Sequence, residues 1–209
     1  MSIRSWLQKI IGSGGNTKPR MTSPPAPKEP AIARPDRDIA IAHAVNLTDL
    51  VNGEPGSMAF YRTTFANHPS QFVTYHDLRK QGDMLDKATL KALGLRANTK
   101  LSSQFFATLN EKGRADPVGA AGVIGLAVST ALSASRALAA MEALGVDEAK
   151  FLASNMAAGP CAAAAGLDGQ TIALADAPML PFATCTHPDQ CSCCYQAKLS
   201  ILNERISTE

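Results

Sequence analysis

PVGAAGVIGLAVSTALSAS, residues 117–135, decides the fold class of this chain. It runs for 19 residues without a charged side chain. Val118, Val123, Ile124, Leu126, Val128 and Leu132 are its strongly apolar members, and Ala, Gly, Ser and Thr make up most of the rest. Ala is the best helix former. The stretch therefore predicts a long Ala-rich helix, or a broken pair, from Pro117 to Leu144 with Gly145 as its stop. Its length would also cross a bilayer, but small side chains gain little in lipid. A buried core helix and a membrane span are thus the two readings of residues 117–135. Gly119, Gly122 and Gly125 permit close helix approach in either.

Working outward, Ala stays frequent from 120 to 165 and aromatics are only 5% of the chain, which favours helix packing over a β-sandwich. The 209 residues suit one ordinary domain, or one domain plus a small module. With 45% hydrophobic and 18% charged residues, the chain can build a core, so wholesale disorder is excluded. A net charge of +2 excludes a generally basic nucleic-acid binder, though not a local basic patch.

Upstream of the long helix, IAIAHAVNLTDLVNG predicts a helix stopping at Gly53, and SMAFYRTTFANHP a second ending before Pro69. Residues 71–75 read as a brief extended piece. Short helices follow from Asp77, from Asp86 to Leu93, and from Thr99 to Leu109, with Gly113 as a stop. Downstream, residues 147–158 predict a helix ended by Gly159-Pro160, TIALAD a short strand, and YQAKLSILNERI a closing helix.

At the N-terminus, Ile3, Trp6, Leu7, Ile10 and Ile11 share one helical face, opposite Arg4, Gln8 and Lys9. Six of the thirteen prolines then fall between Pro19 and Pro35. The expected organisation is an amphipathic docking helix (1–12), a disordered Pro-rich linker (13–37), a helical domain (38–160) and a Cys-rich metal knuckle with a C-terminal helix (161–209). A helix this short is not stable alone in water. Its apolar face would dock on the chain's own body, on a protein partner's groove or on an anionic membrane surface. No signal-peptide core precedes a cleavage site, so the expected location is cytoplasmic, with peripheral membrane association through residues 2–11 as the variant.

Four of the five cysteines lie within ten residues, at Cys185, Cys191, Cys193 and Cys194, with Cys161 upstream and His187 among them. An odd, clustered set in a non-secreted chain reads as metal ligation rather than disulfides. Zinc takes four soft or borderline donors in a tetrahedron. The expected ligands are Cys161, Cys185, Cys191 and Cys193, with His187 and Cys194 as substitutes. Adjacent side chains of an extended backbone face opposite ways, so Cys193 is preferred to Cys194. Four protein ligands leave no open position, so the zinc would be structural. The alternatives are buried reduced thiols, or a reactive thiol with His187 as base, which His43, His68 or His76 could join only through the fold.

The run from Cys161 through Gly169, Ala177, Pro178, Leu180, Pro181, Cys185, Cys191 and Cys193 to Tyr195 resembles the C-terminal segment of small uncharacterised proteobacterial proteins that read C…G…APxLPL…C…CxCxY. A looser similarity is to the C-terminal part of phage Mu F-like minor head proteins: Leu167, Asp168 and Gly169 resemble their turn, and His187, Cys191 and Cys193 their tail. Neither resemblance implies an enzyme.

Residues 79–114 carry eight basic and three acidic side chains in a helix-turn-helix outline. Lys91, Arg96 and Lys100 are the residues that would hold phosphates if this were a nucleic-acid interface. Asp83 and Asp86 read as capping residues rather than a catalytic pair. The whole predicts a mainly α protein, an Ala-rich helical body with a small metal-stapled, loop-rich C-terminal knuckle. Its expected role is a non-enzymatic interaction or assembly protein; the alternatives are a nucleic-acid binder and a thiol-dependent enzyme.

Overall fold

A computed structural model describes residues 34–67 and 75–198. The expected 1–12 helix, most of the Pro-rich linker, the extended piece before Tyr75 and most of the C-terminal helix lie outside the described residues.

The chain is mainly helical, with a small three-stranded sheet. Helices α1 (Arg34–Leu47) and α2 (Pro55–Asn67) lead into four short ones: α3 (Tyr75–Leu78), α4 (Lys87–Ala92), α5 (Ser103–Thr108) and α6 (Glu111–Ala115). The long α7 (Pro117–Ala143) follows unbroken. Side-chain caps start these helices. Asp86 accepts from the Thr89 N–H at 2.7 Å and Ser102 from the Phe105 N–H at 3.1 Å. Asn110 accepts from the Gly113 N–H and Asp116 from the Gly119 N–H, each at 2.9 Å. Each satisfies a donor that a helix start leaves orphaned, and Pro117 occupies the first turn of α7, where its missing N–H costs nothing.

Two apolar clusters form on α7. The first takes Ile41, Ala44 and Val45 of α1, Tyr61 and Phe65 of α2, then Leu78, Leu90, Leu101, Phe105 and Leu109, against Ala120 through Leu132. The second takes Ala134 and Met141 from the far end of α7. The most apolar window of α7 has a mean hydropathy of 1.6, enough to cross a membrane by length and composition, and half of it is buried within this fold.

Beyond α7 the structure departs from expectation. Residues 148–152 form strand β1 (Glu148–Leu152), not a helix. Glu148 and Lys150 are exposed while Ala149 and Phe151 are buried, the period of two that a half-covered strand requires. β1 is the centre of the sheet, antiparallel to β2 (Thr171–Ala173) on one side and β3 (Cys194–Ala197) on the other. The start of the expected closing helix is therefore β3. Helix α8 (Ala162–Leu167) and a 3-10 turn at Leu174–Asp176 complete this part.

Residues 161–194 also hold more core than their sequence promised. Phe151, Ala164, Leu180, Phe182, Cys193 and Tyr195 make the second cluster with α7. Phe151 stacks edge-on against Phe182 and Tyr195, with centroids 5.5 and 5.8 Å apart. Two further corrections fall upstream. The first helix ends at Leu47 rather than near Gly53, because Thr48 and Asp49 turn back and Val51 bridges to Leu109. Gly113 does not stop a helix but lies buried inside α6, where an added Cβ would sit 2.4 Å from the Leu50 carbonyl.

Candidate metal centre

Strand pairing positions the cysteines. β1 and β3 pair Phe151 with Tyr195 and Leu152 with Cys194. Continuing that register sets Ser154, just past β1, opposite Ser192. Their hydroxyls meet at 2.9 Å, and the Ser154 N–H donates to Cys193 Sγ at 3.3 Å. Ser154 Oγ also donates to the Gln190 carbonyl at 3.2 Å and accepts from the Ser192 N–H at 3.3 Å. Alternation then turns Cys193 and Tyr195 inward and Cys194 outward.

A 3-10 turn at Pro188–Gln190 delivers Cys191, whose carbonyl accepts from Thr130 Oγ1 of α7 at 2.8 Å. Cys185 closes a turn onto the Phe182 carbonyl at 2.8 Å. Cys161 sits at the cap position of α8 with no capping bond from its side chain. The four sulfurs thus come from three places in the chain, the start of α8, the Cys185 turn and the Cys191–Cys193 segment. Cys161, Cys185, Cys191, Cys193 and His187 all line one cavity of about 10 Å³, close to the space of a single water. Cys194 is exposed and outside its lining.

The electrostatics are those of crowded thiols. Burial pushes Cys185 up to about 11, against the pull of the His187 N–H on its sulfur, and the nearby Cys191 and Cys161 add to the rise. The interaction between the Cys191 and Cys193 side chains raises Cys191 and lowers Cys193. The Ser154 N–H bonded to Cys193 Sγ, and the nearby backbone N–H groups of His187 for Cys185 and of Cys193 for Cys191, each pull downward. Such donors favour thiolate over thiol. Among the described residues, no group of three or more His, Cys, Asp or Glu side chains is placed so that it could hold a metal ion.

Other expected residues fall elsewhere. His187 is exposed, and its backbone rather than its ring reaches Cys185. His43 holds the Pro181 carbonyl at 2.6 Å, tying α1 to the C-terminal part. His68 and the side chain of His76 lie outside the described residues, as do Ile3, Trp6, Leu7, Ile10 and Ile11. Lys91 lies on α4, and Arg96 and Lys100 in the connection to α5; all three are exposed. The second helix starts at Ser103, later than the expected Thr99, so Arg96 and Lys100 precede it. Asp86 caps α4, and Asp83 clasps the Gln104 amide at 3.1 Å.

Ser154 was not visible as part of this site from sequence, because residues 147–158 read as helix. The alternation in EAKFL was the signal that could have found it. Comparison with family models, curated proteins and solved structures returns no match.

Proposed function

We propose that this chain is a non-enzymatic interaction or assembly protein whose C-terminal part is locked by one structural zinc ion on Cys161, Cys185, Cys191 and Cys193. One observation carries the reading: thiols from three segments, with Cys161 more than twenty residues away in sequence, line a single small cavity. Four partly or fully buried thiols around one small cavity are the donor set that zinc takes, and a bound ion would draw all four to about 2.3 Å. A site closed by four protein ligands offers no position to substrate, which argues for a structural role. Structural zinc in small peptides contributes on the order of 10–16 kcal/mol apparent. The partner-facing element in this reading is the apolar face of Ile3, Trp6, Leu7, Ile10 and Ile11.

Elemental analysis of the purified full chain tests it. One equivalent of zinc is expected, lost in Cys185→Ser and in Cys191→Ser and retained in Cys194→Ser. Cobalt in its place should show the thiolate charge-transfer bands of a tetrahedral sulfur site. Freshly isolated, ion-free protein that resists proteolysis over residues 150–198 as well as zinc-loaded protein does would refute the reading. Rapid alkylation of Cys193 in metal-loaded protein would favour the thiol enzyme instead. Salt-sensitive retention on DNA, lost when Lys91, Arg96 and Lys100 are neutralised, would favour nucleic-acid binding.

A further inference from the structure

A groove of about 600 Å³ runs along α2, facing α5 and the connection before α4. Gly56, Ala59, Phe60 and Thr63 form its near wall at the i, i+3, i+4, i+7 positions of one helical face; Gly82 and Ala107 stand across from them. Tyr61 and Phe65 of α2 are spent on the core, while the buried hydroxyls of Ser57 and Thr64, with Gln81 and Gln104, give the groove a polar share. The wall side chains are small except for Phe60, whose ring lies against Tyr61 and Phe105 at 5.3 and 6.3 Å. A groove of this shape takes an amphipathic helix with bulky side chains. Glu54, at one end, is the single charge among its lining residues.

The chain entering the described fold does so beside this groove. In α1, Arg37 donates to the Phe65 carbonyl at the end of α2, and Asp38 lies 4.0 Å from Arg62 Nε. Residues 12–33 could span at most about 70 Å fully extended, and the groove face of α2 is only about 11 Å long, so reach is ample. The segment beyond them offers what the groove lacks, large apolar side chains on one face, while Arg4 and Lys9 on the other face stay toward solvent.

We propose that residues 2–11 of the same chain lie in the groove between α2 and α5, with Ile3, Trp6, Leu7 and Ile10 against Gly56, Ala59, Phe60, Thr63 and Ala107. The docking holds the partner-facing side chains covered until a partner displaces them. It does not depend on zinc. Tethering gives an effective concentration on the order of 1 mM, so a contact with a Kd near 0.1 mM is docked about tenfold over free.

Trp6 is the sole tryptophan of the chain and reports on this contact directly. In the full chain its emission should be blue-shifted against a peptide of residues 1–12, and acrylamide quenching about fivefold weaker, at any protein concentration. Ala59 and Ala107 are exposed, so Ala59→Glu with Ala107→Glu should lower the melting temperature by only the few degrees that tenfold docking contributes, while returning Trp6 to its peptide-like state. A photocrosslinker in place of Leu7 in the otherwise unaltered chain should label residues 56–63 or 104–107 of its own molecule, a readout independent of the double variant's folding. Peptide-like Trp6 in the unaltered chain would overturn the proposal. Equally damaging would be protection surviving the double substitution, protection that grows with protein concentration (a second copy), or protection appearing only with anionic vesicles. Chelator treatment that removes zinc without exposing Trp6 separates this result from the fate of the metal reading.

Discussion

Replacing Phe151 by Ala asks whether the C-terminal part is held by packing, whatever the proposed zinc adds. Phe151 is fully buried at the centre of the sheet, with Phe182 and Tyr195 edge-on to it. Truncating a buried Phe costs about 3–5 kcal/mol, from lost transfer energy and the cavity left behind. Each aromatic pair accounts for about 0.5–1.5 kcal/mol of that. A domain of this size has about 5–15 kcal/mol in total, so the loss removes a large share of its stability. In urea, with a slope near 2 kcal/mol/M, the midpoint should fall by about 2 M with the slope unchanged. Circular dichroism in excess zinc and in chelator gives the two arms; the full fall is expected in excess zinc and a smaller one in chelator, where the proposed ion no longer holds residues 150–198. Phe151→Leu, which keeps most of the volume, should cost less than about 1.5 kcal/mol. A coreless loop held by an ion alone would behave differently. A fall under about 1 kcal/mol for Phe151→Ala in both arms would refute the second cluster as a structural core, since mutations of that size are ordinary at surfaces.

Gly113→Ala should destabilise by about 1–3 kcal/mol in the same urea assay, because its Cβ would meet the Leu50 carbonyl and overpack the contact between α6 and the α1–α2 connection; a neutral result would show that this approach is looser than 2.4 Å. Burial holds the Tyr61 phenol above its ordinary range, against a smaller opposing pull from the Thr108 hydroxyl. Its contribution is therefore fully present below pH about 10, and above that is lost at about 1.4 kcal/mol per pH unit while only the unfolded chain is ionised. Tyr61→Phe should flatten that part of the stability–pH curve relative to the unaltered chain. Arg136 has a buried Nη1 without a hydrogen-bond partner, and Arg37, already lowered by burial, is lowered further by Arg136 across the α1–α7 contact. Arg136→Met should raise stability by about 1 kcal/mol, or several degrees in Tm, and a lower Tm would point to a favourable contact there.

The helical part was legible because its signals are local. Alanine content and the absence of charge marked α7, Gly145 marked its end, and Asp86 announced α4. Gly113 misled because glycine breaks helices by default, and only the Leu50 carbonyl, distant in sequence, explains a glycine inside one. The 148–152 strand was missed because five residues of alternation are weaker than the Ala-rich surroundings, and its pairing partners lie more than twenty residues downstream. The same pairing hid Ser154. The metal candidates were readable as a list, since clustering is visible in a string of letters. Their convergence was not, because it depends on the register between β1 and β3 and on Thr130 of α7 holding the Cys191 carbonyl.

α7 feeds one cluster with its first half and the other with its second. Among the described residues, no seam therefore runs at which scissors could separate two self-sufficient pieces. A truncation after Gly145 would strip the rod of its lower cladding and leave Ala134 and Met141 wet. One that began after the rod would deprive the sheet of the surface it leans on.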